Sequence, residues 1–175
     1  PVTIVHGASD GPVLALIAGI HGYEYPPITA LQAMRTQVDP AALSGTIILV
    51  HIANMPAFLG RTIYYSPGDG KNLNRMFPGD PDGSISQRIA HILTTEVIDQ
   101  ANYLVDLHGG DGNEALRPYV YMPVTGNAVF DSKIEGLAAA FGLDHIVMDT
   151  GPQQASRLSL FTDQTALERG VPAIT

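Results

Sequence analysis

A histidine and a glutamate stand three residues apart, His21 and Glu24, in the stretch AGIHGYEYPP that ends the apolar run PVLALIAGI. A second histidine, His108, closes another apolar run in ANYLVDLHGG. Two imidazoles and one carboxylate form a common catalytic zinc set that leaves a position open for water. The H-x-x-E spacing lets one short turn send two ligands to the same ion, and a third ligand from a distant strand closes the site. Zinc held this way polarises a carbonyl and lowers the pKa of bound water to roughly 7. The chain has no cysteine, so any metal must be held by histidine and carboxylate. A lone H-x-x-E also arises by chance. What favours the metal reading is that both histidines follow strand-like segments.

A second group lies in GRTIYYSPGDGKNLNRMFPGD. A phosphate-binding P-loop would need glycine five residues before the Gly-Lys pair and Ser or Thr after it, where this chain has Tyr65 and Asn72. The P-loop reading fails on both counts. Asn74 and Arg75 instead offer an amide and a planar fork of donors suited to a carboxylate. Arg61 could bring positive charge to a developing oxyanion. For either arginine alone the competing reading is a solvated side chain, since exposed pairs are worth only ~0–1 kcal/mol. His51 ends a strand and reads more simply as a satisfied core histidine, while His6, His91 and His145 have no evident partners. PGDPDG lacks the spaced ligands and closing glutamate of a calcium loop and reads as a turn.

These residues need elements that bring them together. Apolar, β-branched runs at PVLALIAGI, GTIILVHIAN, ANYLVDLHGG, PYVYMPV and DHIVMDT, with GVPAIT as a sixth, are mostly continuous, as expected of strands buried on both faces. Helical spacing predicts helices over Pro26–Gln37, Ser84–Ile98 with a capping serine, Phe130–Phe141 and Leu158–Glu168. Alternating strands and helices predict an α/β architecture with a mixed, largely parallel central sheet. Asn54–Gly83 shows no long periodic segment, and loops of that length are often functional. In open α/β sheets ligands gather at the carboxyl ends of the strands. His21, His108 and the long loop each follow such an end.

The chain of 175 residues suits one domain, without repeats or linkers. Its formal net charge of −8 disfavours nucleic acid and anionic lipid as partners. The longest apolar run is too short to cross a bilayer and the N-terminus is not signal-like, so no membrane association and a cytoplasmic location are expected. The chain starts at Pro1 and stops in GVPAIT, an apolar run that reads as a strand cut in mid-course, so a continuation is expected.

Taken together, GIHGYE, NLNRMFPG and LVDLHGG resemble, in order and separation, the succinylglutamate desuccinylase and aspartoacylase family, relatives of the zinc carboxypeptidases. The resemblance implies a three-layer, zinc-carboxypeptidase-like α/β fold and makes residues 1–175 a single zinc-hydrolase catalytic domain, incomplete at its C-terminus. It implies one zinc ion held by His21, Glu24 and His108, a substrate carboxylate held by Asn74 and Arg75, and assistance at the scissile carbonyl from Arg61, whose alignment is looser. The implied reaction is hydrolysis of a small N-acyl amino acid to a carboxylate and a free amine. Association between copies of the chain is left open.

Two departures from the family stand out. Many relatives carry Asp where this chain has Asn72, which can still accept from an imidazole N–H but lends the ligand less basicity; Asp106 is a second candidate for that role. The family's general base is a glutamate just past a segment like GVPAIT. Glu114 and Glu168 do not match it and read as surface carboxylates. With only these residues, zinc binding with little turnover is expected. The alternatives are a zinc carboxypeptidase acting on short peptides and a binding module that keeps the metal and the clamp without catalysis.

Overall fold

The structure is a computed structural model and describes residues 1–150 and 161–175. Its central sheet holds β1 (Val2–His6), β3 (Ser44–Val50), β2 (Ser9–Ala18), β4 (Tyr103–Leu107) and β7 (Ala173–Ile174), in that spatial order. β1 runs antiparallel to β3 and the other neighbours are parallel, so the sheet is mixed and largely parallel, as the alternation of elements implied. A parallel pair, β5 (Val120–Pro123) and β6 (Ile146–Asp149), adjoins it: Tyr121 and Thr175 exchange backbone hydrogen bonds of 2.6 and 3.0 Å.

Alternation along the inner strands feeds two cores, because successive side chains of a strand point to opposite faces. Ala15, Ile17, Ile48, Val50 and Leu104 face α3 (Ile85–Glu96) and α5 (Thr162–Glu168). Leu16, Ala18, Ile47, Leu49 and Val105 face α1 (Tyr25–Met34) and α4 (Ala128–Phe141). Each Val, Leu or Ile side chain fully buried in these layers contributes roughly 1.5–3 kcal/mol. The result is the three-layer α/β arrangement.

Several elements differ from expectation. β1 was not anticipated: every second residue of VTIVH is exposed, and it is a one-sided edge strand rather than a continuous apolar run. Met55–Gly60 forms a short helix, α2, inside the supposed loop, capped by Asn54 Oδ1 accepting from Ala57 N–H (3.2 Å). β6 is largely exposed rather than buried on both faces. At the expected cap of α3 the Ser84 N–H donates to Gln87 Oε1 (3.0 Å). Helix α5 begins at Thr162, and Leu158–Leu160 of the expected helix lie outside the described residues. No helix among the described residues is long and apolar enough to cross a membrane.

Candidate metal centre

β2 and β4 are neighbours that end at the same edge of the sheet, with Ala18 paired to Leu107. The chain leaves β2 through Gly19, whose φ of +73° favours glycine. It then passes so close to α2 that a Cβ on Gly22 would sit 2.2 Å from the Ala57 carbonyl carbon. That close passage carries His21 and Glu24, both buried, to the end of β4, where His108 emerges. The residues predicted as one ligand set therefore meet: their ligand atoms all lie within 4.8 Å of one another. His21 Nδ1 is 2.7 Å from Glu24 Oε1, and His108 Nδ1 is 2.9 Å from Glu24 Oε2, which also accepts from the Gly109 N–H (3.1 Å).

The outward ring nitrogens face oxygen acceptors. Asn72 Oδ1 accepts the Asn74 backbone N–H (2.9 Å), so it is the oxygen of that amide. His21 Nε2 lies 3.3 Å from the same oxygen, placed to donate to it, while Nδ1 faces Glu24. His108 Nε2 faces Asp106 Oδ2 at 3.2 Å in the same manner. Three inward-facing electron-rich atoms this close repel unless a cation sits among them, and two imidazoles with one carboxylate suit a zinc-type ion. Burial opposes charging of His108, but Asp106 and Glu24 outweigh it and raise its pKa well above the usual histidine range. Burial alone would raise the Glu24 carboxyl, but hydrogen bonds from His108 and then His21 overcome it and bring it down to about 2.

Both candidates for orienting a ligand are thus engaged, Asn72 with His21 and Asp106 with His108. Tyr64 stands edge-on to His21, ring centroids 4.9 Å apart, and its hydroxyl donates to Asp111 on the loop after His108. The sequence reading did not single out this pair.

Asn74 and Arg75 sit in a short 3-10 turn (Leu73–Arg75) that begins at Asn72. Asn74 Oδ1 accepts two hydrogen bonds from Thr162, one from its N–H and one from its hydroxyl, each 3.0 Å. Arg75 Nη1 donates to the Asn74 carbonyl (2.8 Å), and its guanidinium carbon lies 4.1 Å from the centre of the Phe161 ring. Arg61 is a left-handed residue (φ +52°) that caps α2 and lines a groove with Tyr23, Tyr25 and Phe58. Glu114 and Glu168 are exposed, as expected of surface carboxylates, and the Glu114 carboxylate accepts from the Asp111 N–H (3.2 Å). His51 is buried as expected, and its Nε2 meets Thr3 Oγ1 at 2.8 Å, but among the described residues its Nδ1 has no hydrogen-bond partner, so it is only half satisfied.

Fold and site together define a three-layer α/β domain with a two-histidine, one-carboxylate centre at the carboxyl ends of its parallel strands. The chain belongs to the succinylglutamate desuccinylase/aspartoacylase family, matching its catalytic domain over residues 10–175. It is 38% identical over 149 residues to the N-alpha-acetyl-L-2,4-diaminobutyric acid deacetylase of Halomonas elongata, an alignment that covers 85% of this chain and 43% of that protein. Among solved structures, a succinylglutamate desuccinylase/aspartoacylase from Rhodobacter sphaeroides superposes with a TM-score of 0.88 at 29% identity, covering 99% of this chain and 50% of the other. The product-bound ectoine utilization protein EutE of Ruegeria pomeroyi gives 0.87 at 26% identity, covering 100% of this chain and 52% of the other. The chain thus spans about half the length of these relatives.

Proposed function

We propose that this chain carries the metal centre and carboxylate clamp of a zinc-dependent deacylase that hydrolyses the amide bond of a small N-acyl amino acid. The observation that carries the reading is the convergence of His21 Nδ1, His108 Nδ1 and the Glu24 carboxylate, with both outward ring nitrogens already committed to Asn72 and Asp106. Zinc, when bound, supplies a Lewis acid and a water of lowered pKa.

The chain's own residues orient the metal ligands and hold the substrate. Asn72 and Asp106 hold the imidazoles in the tautomers whose lone pairs face inward. Asn74 has spent its oxygen on Thr162, so only its NH2 remains to give. Beside the Arg75 fork this makes a surface of donors, fitted to a carboxylate and not to an amine. Arg61 is assigned the developing oxyanion, from the groove it shares with Tyr23. The Halomonas elongata relative is named for removing an acetyl group from a diamino acid, which makes an N-acetyl amino acid the first substrate to try and supports deacylation over peptide cleavage.

The test is metal content. Purified wild type is expected to hold one zinc per chain and His108→Ala essentially none; equal zinc in both would overturn the reading. Amine release from N-acetyl-L-2,4-diaminobutyric acid, compared with release from short peptides, then separates deacylase from carboxypeptidase.

A further inference from the structure

Besides the bond from Arg75 Nη1 to the Asn74 carbonyl, the clamp residues are held from outside. Each is fixed by one residue at the start of α5, a helix from the far end of the chain. Thr162 is fully buried, and both its N–H and its hydroxyl reach Asn74 Oδ1. A backbone N–H can only donate, so the Asn74 amide has one allowed orientation, and its oxygen is saturated by two donors. A flipped amide would set NH2 against N–H and present an acceptor to the ligand. Phe161 lies beneath the Arg75 guanidinium at 4.1 Å, within reach of a cation–π contact that holds the fork flat. A flat guanidinium offers its N–H bonds along an edge, in the plane that suits a bidentate carboxylate.

We propose that Phe161 and Thr162 are positioning residues of the substrate-carboxylate clamp, Thr162 by locking the Asn74 amide and Phe161 by bracing the Arg75 fork, and that together they select a free α-carboxylate over an uncharged amide or ester. This rests on the clamp role given to Asn74 and Arg75 above. Selectivity follows from donor count: a locked amide and a braced fork present donors only, which a carboxylate satisfies with both oxygens and a carboxamide cannot.

The test is binding, which needs no turnover. N-acetylglycine and N-acetylglycinamide are titrated calorimetrically into zinc-loaded wild type and variants, and in 15N-labelled protein that retains Asn74 its side-chain NH2 signals are followed as well. Wild type should bind the acid more tightly than the amide. Thr162→Val and Phe161→Leu should each weaken the acid about tenfold, leave the amide unchanged and leave the melting temperature near wild type, while Thr162→Ser should restore wild-type binding. If Asn74→Ala weakens acid binding and Thr162→Val and Phe161→Leu do not, this inference falls and the clamp stands. If Asn74→Ala and Arg75→Ala also bind the acid as wild type does, the clamp falls and this inference with it. A variant that weakens acid and amide alike marks a merely structural role and likewise overturns the proposal.

Discussion

Replacing Asp163 with asparagine is expected to stabilise the metal-free protein at pH 8 and leave it nearly unchanged at pH 4. Asp163 is half-buried in the first turn of α5, and burial, followed by the negative charge of Asp106, raises its carboxyl from 3.8 to about 6. The folded state therefore keeps a proton that the unfolded chain releases. Its contribution is favourable below the unfolded value and is lost as pH rises through the folded one. Above pH 6 the charged carboxylate costs about 3 kcal/mol at ~1.4 kcal/mol per pKa unit. Asparagine removes that cost. Its side-chain oxygen can still accept the Gln164 N–H, now bound at 2.8 Å. It forfeits the favourable interaction of a negative charge with the helix N-terminus, worth ~0.3–1 kcal/mol. The net gain is about 2 kcal/mol at pH 8. Urea unfolding in the presence of a chelator at pH 4, 6 and 8 reads it as a rise in midpoint at constant slope. A bound dication near His108 offsets the charge, so the gain should shrink when zinc is added. A variant no more stable than wild type at pH 8, or equally stabilised at pH 4, would refute the reasoning.

Two further outcomes follow from the site. Asn72→Asp keeps an acceptor for the Asn74 and His21 N–H groups and adds a negative charge behind His21, so zinc release to a chelator should slow about tenfold, in line with outer-ligand effects of ~10–100-fold; an unchanged rate would remove Asn72 from the role. Gly22→Ala places a methyl 2.2 Å from the Ala57 carbonyl carbon, a backbone clash that should cost about 3 kcal/mol and reduce zinc uptake, measured by thermal melting and metal analysis; a variant that melts and loads like wild type would show that the HG turn has room to yield.

The candidate metal set was legible in the sequence because its signals are local: a short H-x-x-E turn and a D-L-H at a strand end, each after an apolar run. Their convergence needed only that β2 and β4 be neighbours. Asn74 and Arg75 were legible as donors, but Thr162 and Phe161 were not, since nothing in FTDQTALE announces that it folds back on residues more than eighty positions earlier. β1 escaped because an edge strand with one exposed face carries half the apolar signal of a central one. α2 escaped because six residues are too few for a helical period to emerge, and only Asn54 and Pro56 mark its start. Asp163 was not singled out, because only the fold half-buries it within reach of the charge of Asp106.

The single oxygen of Asn72 lies between the imidazole of His21 and the backbone N–H of Asn74. Should an ion bound at His21 change the affinity for a carboxylate at Asn74, reciprocity requires the carboxylate to change the affinity for the ion by the same factor.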